Sequence, residues 1–190
     1  NATSMAVVQV GEIGGRGAAM MLGYCGDQKS TENSFNRDGW FMSGDLGRLD
    51  AAGNLEIVGR VKDIIIRGGR NIHPRKIEDL AVRHPLIGKA AVIPVEDSRL
   101  GEKVCLIIVP SGDEIPGPDM ILRHLHSSGL SVYDMPEYYA VLAEFPLTAS
   151  GKILKRALLQ KMNHGDFAPT PVRFNASFNT TMESRGGGDC

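Results

Sequence analysis

No run in this chain approaches the ~20 apolar residues that a membrane-spanning helix requires. Neither sign of charge prevails, because 21 Lys and Arg stand against 22 Asp and Glu in 190 residues. The first absence argues against a helical span, and the second removes any global pull toward nucleic acid or an anionic bilayer. Aromatic residues are few, at 6% with a single Trp, and do not interleave with the basic ones as a nucleic-acid surface would need. Cysteine is scarce: Cys25, Cys105 and Cys190 form an odd set without metal-ligand spacing. That pattern speaks for a reduced, cytoplasmic protein with no metal site. The opening Asn-Ala-Thr-Ser-Met has neither a basic nor an apolar leader segment and no initiating Met. The expectation is a processed chain or a fragment without a signal peptide. Asn1, Asn175 and Asn179 begin glycosylation triplets that, without secretion, are chance matches.

What is present is an alternation of strand-like and helix-like segments. Val7 to Val10 and Ala18 to Leu22 read as short strands lacking a core of their own. Asp45 to Arg60 reads as a hairpin turning at Ala51-Ala52-Gly53-Asn54. Val61 to Ile66 reads as a strand followed by a tight loop, Arg67-Gly68-Gly69-Arg70. Pro74 suits the first turn of a helix with Ile77, Leu80, Ala81 and His84 on one face. Strands are expected at Ala90 to Pro94, Val104 to Pro110 and Tyr138 to Leu142, and helices at Pro118 to Leu125 and Ile153 to Met162. The sum is a small α+β domain, helices packed on a sheet, preceded by a β-rich stretch. Beyond Asn163 the chain is polar and aperiodic, and is expected to be disordered.

Three segments carry candidate chemistry. In Gly39-Trp40-Phe41-Met42-Ser43-Gly44-Asp45, a carboxylate at a strand entrance can accept two hydrogen bonds from a diol, although a turn-forming Asp reads the same way. In the stretch from Gly59 to Pro74, Gly68 and Gly69 allow close approach or positive φ. Arg60, Lys62, Arg67 and Arg70 would attract phosphate there, and a charged hairpin with a glycine turn is the plain alternative. In Pro146-Leu147-Thr148-Ala149-Ser150-Gly151-Lys152-Ile153, a flexible loop delivers Lys152 to a helix start, where an anion is favoured. The Walker phosphate loop is excluded, since Ile153 follows Lys152 and Pro146 takes the place of its first glycine.

In this order and spacing the three segments resemble the adenylate-forming superfamily of acyl- and aryl-CoA synthetases, peptide-synthetase adenylation domains and beetle luciferase. The resemblance runs from about Val8 to Met162. It implies the C-terminal portion of an AMP-forming acid–CoA ligase, using ATP with Mg2+ and CoA to activate a carboxylic acid. Residues 1–60 would end a large N-terminal domain, 61–162 would form a mobile lid, and 163–190 a tail. It further implies that Asp45 and Arg60 bind the nucleotide, Lys62 lies at the hinge, Gly68 and Gly69 face CoA, and Lys152 is the catalytic lysine of the lid. The phosphate loop and acyl pocket belong to the absent N-terminal ATP-binding domain, so the chain alone is expected to be inactive. Two departures stand out. Lys76 replaces a common Glu before Ile77-Glu78, putting a helix-face ion pair in doubt, and Gly14-Gly15 replaces apolar strand residues. Tyr133-Asp134-Met135-Pro136-Glu137-Tyr138 resembles ligases for fatty, alicyclic or aryl acids. The alternatives are a peptide-synthetase adenylation domain, for which no carrier segment follows, and a non-catalytic module binding through its basic side chains.

Overall fold

The computed structural model describes residues 9–175. The chain divides into two compact units, at residues 1–76 and 77–190.

The first unit holds an antiparallel sheet in the order β1 (Gly11–Gly15), β2 (Phe41–Leu49), β3 (Leu55–Arg60). The expected hairpin is present as β2 and β3, closed at Asp50 by a carboxylate that accepts the N–H groups of Ala52 and Asn54. Such local Asx bonding makes the reversal legible from sequence. Gly14-Gly15 does not prevent a strand, because β1 pairs with β2 across a bulge between Glu12 and Gly14. The segment 18–22 is not a strand but a turn and open chain, and Val7 and Val8 lie outside the described residues. A short helix not foreseen, α1 (Gln28–Ser34), starts where the Asp27 side chain accepts the Ser30 N–H.

The expected strand over 61–66 is also corrected. Val61–Asp63 is a single 3-10 turn, and only β4 (Ile65–Arg67) is extended. β4 and β5 (Arg70–Ile72) form a tight hairpin in which Arg67 and Arg70 stand opposite one another. Its two-residue loop, Gly68 and Gly69, has φ of 55° and 82°. Both values are positive, as a type I′ turn demands, so β-carbon-free residues are needed there. The helix α2 (Pro74–Ala81) then opens on its proline.

The second unit is organised by β6 (Ile87–Asp97) and β7 (Gly101–Pro110), a long antiparallel pair. β8 (Tyr138–Val141) joins β7 in parallel, and α3 (Pro118–Ser127) lies on the crossover that a parallel pairing needs. Val104, Cys105, Leu106, Ile107 and Ile108 are all fully buried. Burial of successive residues, whose side chains point to opposite sides, means the sheet is covered on both faces. One face packs Ala91, Ile93, Cys105 and Ile107 with Ala140, Phe145 and Leu158, the last from α4 (Lys155–His164). Ile121, Leu122 and Leu125 of α3 and Ile77, Leu80 and Ala81 of α2 are buried as well. The tail departs from its expected disorder: β9 (Thr170–Pro171) pairs antiparallel with β8. Residues 176–190 lie outside the described part.

Candidate nucleotide and lid-lysine sites

Asp45 and Arg60 meet because β2 and β3 put them in register as direct cross-strand partners. The Arg60 Nε donates to Asp45 Oδ1 at 2.8 Å, with side chains 51% and 33% exposed respectively. The approach is fixed from behind. Ser43 Oγ accepts the Asp45 N–H, and Glu12 Oε1 accepts the N–H of Gly44. A half-exposed ion pair of this kind contributes little to stability. Its arrangement offers a carboxylate acceptor and a guanidinium donor side by side on a rigid sheet, the chemistry a ribose diol beside a phosphate would need. Asp45 thus lies within a strand and not at its entrance.

Lys62 is exposed in the 3-10 turn that links β3 to β4. Gly68 and Gly69 are exposed at the tip of the β4–β5 hairpin, and a β-carbon placed on Gly69 would meet nothing within 4 Å. Their turn geometry realises the hairpin reading of this segment, while the empty surroundings leave the backbone open to approach.

Lys152 belongs to the second unit, on a loop closed by its own hydrogen bonds. The Thr148 N–H donates to the Lys152 carbonyl at 2.8 Å, and the Lys152 N–H donates back to Thr148 Oγ1 at 3.0 Å. Thr148 Oγ1 and Ser150 Oγ are 2.9 Å apart, and the Gly151 N–H reaches the Thr148 carbonyl. Gly151 supplies the left-handed residue, φ 80°, that closes the turn. Leu147 and Ile153 bridge across its base, and the Leu154 N–H donates to the Pro146 carbonyl. The Lys152 side chain is exposed and forms no ion pair among the described residues. It projects from a closed loop before the helix, which starts at Lys155 and not at Ile153.

One element of this site was not foreseen. The doubt raised by Lys76 concerned an ion pair on the face of α2, yet Glu78 makes one with Lys155, 2.6 Å away. The same Glu78 Oε1 accepts the Val92 N–H at 2.7 Å. The pairing is not legible in the sequence, since it joins segments far apart in the chain.

This geometry, a lysine loop and helix appended to a small α+β unit, is that of a nucleotide-activating enzyme's C-terminal domain. Residues 76–152 match the model of the AMP-binding enzyme C-terminal domain. The chain is 37% identical over 153 residues to the mitochondrial medium-chain acyl-CoA ligase of Bos taurus, covering 80% of this chain and 25% of that protein. It is likewise 37% identical over 146 residues to the medium-chain fatty-acid–CoA ligase of Escherichia coli, covering 76% and 26%. Among solved structures it resembles o-succinylbenzoate CoA synthetase from Bacillus subtilis in complex with an acyl-adenylate intermediate, with TM-score 0.75, 29% identity, and coverage of 88% and 33%. ATP-bound MatB from Rhodopseudomonas palustris is similar, with TM-score 0.75, 29% identity, and coverage of 83% and 31%. The chain belongs to the adenylate-forming superfamily, over the C-terminal portion of its members. It spans about a quarter of the length of the curated relatives it matches.

Proposed function

We propose that this chain is the nucleotide-closing C-terminal part of an ATP-dependent acid–CoA ligase and acts together with an N-terminal ATP-binding domain. In the first step a substrate carboxylate oxygen attacks the α-phosphorus of ATP, and pyrophosphate leaves. In the second the CoA thiol, giving up its proton, attacks the acyl carbonyl, and AMP leaves. Asp45 accepts from the ribose hydroxyls, and Arg60 contacts the ribose or phosphate side. Lys152 bridges carboxylate and α-phosphate oxygens as negative charge accumulates. Lys62 is the hinge between residues 1–60 and the lid of 61–162. Gly68 and Gly69 leave room for the pantetheine arm. The chain alone adenylates nothing.

The observation that carries this reading is Lys152 itself. It is exposed, without an ion-pair partner among the described residues, and held on a hydrogen-bonded loop at the end of the matched stretch. The backbone beneath it is held, and no existing ion pair among the described residues has to break before the ammonium meets an anion. ATP would bring Mg2+ with it. Among the described residues no group of three or more His, Cys, Asp or Glu is placed to hold an ion.

The acyl substrate we favour is a fatty acid of medium length, following the names of the curated relatives. No helix among the described residues is long and apolar enough to cross a membrane. The free thiols of Cys25 and Cys105 suit a reducing compartment, the cytoplasm in our reading, and the mitochondrial address of the mammalian relatives would suit them equally.

The test is ATP–pyrophosphate exchange by the intact ligase across a panel of carboxylic acids. Lys152→Ala should lower exchange by about 100- to 1000-fold, the usual cost of one preorganised donor. Unchanged exchange in that variant removes Lys152 from the chemistry. No exchange by the wild type with any acid removes the ligase reading, and the binding-module alternative then leads.

A further inference from the structure

We infer that Glu78 is a positioning residue for Lys152, acting through Lys155. The inference rests on Lys152 being the lid lysine, and it concerns how that side chain is aimed.

The start of α4 is not fixed by its own sequence. Leu154 provides no side-chain cap, and the first turn holds no acidic residue. It opens instead on Lys155 and Arg156, which oppose the helix dipole. An uncapped turn with cations at its N-terminus should fray, and fraying there would reach Lys152, three residues before Lys155. Burial of Leu158 and the packing of Ile153 against the same core hold the apolar side of this segment.

Glu78 meets this need. One of its oxygens accepts both the Lys155 ammonium at 2.6 Å and the Val92 N–H at 2.7 Å. The Lys155 and Glu78 side chains are only 29% and 18% exposed, so the pair is more shielded from water than Asp45 and Arg60. Val92 lies in the middle of β6, where it is registered with Leu106 of β7. The first residue of α4 is thereby tied to the longest strand pair of its unit. Three residues of chain span at most about 10 Å, so this tie limits where the Lys152 loop can stand.

The ion pair and the strand contact can be separated. Glu78→Gln keeps an oxygen for Val92 but removes the charge, and Lys155→Met removes the other charge. Lys155→Arg restores it. The experiment pairs exchange kinetics of the intact ligase with amide hydrogen exchange in the same protein. Glu78→Gln and Lys155→Met should each lower kcat for pyrophosphate exchange by about 10- to 100-fold, the scale of a 1 Å misplacement, with KM for ATP little changed. Lys155→Arg should recover most of the loss. The amides of Thr148, Gly151, Lys152 and Leu154 should exchange at least about 10-fold faster in the first two variants, while those of Cys105 to Ile108 stay as protected as before.

A merely structural pair would speed exchange throughout the β6–β7 ladder together with the loop, and that result overturns the inference. So do wild-type kinetics in both charge-removing variants while Lys152→Ala is inactive. If Lys152→Ala is itself fully active, the lid-lysine reading falls, and the positioning role falls with it.

Discussion

The β3 strand of the first unit and the β7 strand of the second are both rich in β-branched and aliphatic residues, yet they end in opposite surroundings. Leu55 and Ile57 on β3 are 52% and 37% exposed, whereas Val104 to Ile108 on β7 are fully buried. Among the described residues before 77, only Leu46, Ile65 and Ile72 belong to the buried apolar set. A strand's composition records that it suits a sheet, but whether something covers that sheet depends on what packs against it. The second unit has helices for both faces. Among the described residues of the first unit, few apolar side chains gather against its sheet.

The contrast can be broken by truncation. Ile107→Ala should cost about 2–5 kcal/mol in urea unfolding of the chain, because it leaves a cavity in a close-packed sheet. Ile57→Ser, on the exposed strand, should stay within about 0.5 kcal/mol. Equal losses would mean that β3 is packed in solution after all.

The glycine tip of the β4–β5 hairpin should respond next. Any side chain at Gly69 must adopt its φ of 82°, at a cost of about 1–2 kcal/mol even though the space around it is open. If the tip also faces CoA, Gly69→Leu should impair thioester formation more than adenylation when the two half-reactions are measured separately. Equal losses would reduce Gly69 to a turn residue.

Acid sharpens the comparison in the second unit. The hydrogen bond from Lys103 to Asp97, at 2.5 Å, and the Leu100 N–H hold the Asp97 carboxyl down to about 2, below its usual 3.8. A depressed carboxylate supports the fold fully above its unfolded value and loses that support as pH falls through its folded one. Asp97→Asn should therefore show a shallower decline in melting temperature between about pH 4 and pH 2 than the wild type. Identical declines would mean the pair contributes nothing.

The smallest effect is chemical. Cys25 is exposed in the first unit, while burial pushes the Cys105 thiol in the second up to about 12. Iodoacetamide near neutral pH should label Cys25 in the native chain and reach Cys105 only after denaturation, as mass spectrometry of the peptides would report. Native labelling of Cys105 would contradict the closed core.

Much of the fold was legible because its signals are local. Pro74 and Pro118 each open a helix, Asp50 turns a hairpin, and the β-branched runs mark β6 and β7. The misreadings were equally physical. The apolar run at 61–66 reads as one strand, but a 3-10 turn occupies Val61–Asp63. The polar tail yields β9 because the open edge of β8 accepts it, a fact about β8 and not about Thr170 or Pro171. The strand β6 extends beyond Ala90 to Pro94 because β7 pairs along its whole length, including its exposed residues.

By itself the sequence determined the superfamily, the α+β class and the order of the three motif segments, because hydrophobic period, turn residues and motif spacing are written along the chain. Only the tertiary structure decided that Asp45 and Arg60 share one ion pair, that Thr148 closes the Lys152 loop, and that Glu78 ties Lys155 to β6. Each of those depends on a register or approach between segments that meet only on folding. A side chain's chemistry can be read in one dimension, but its partner is chosen in three.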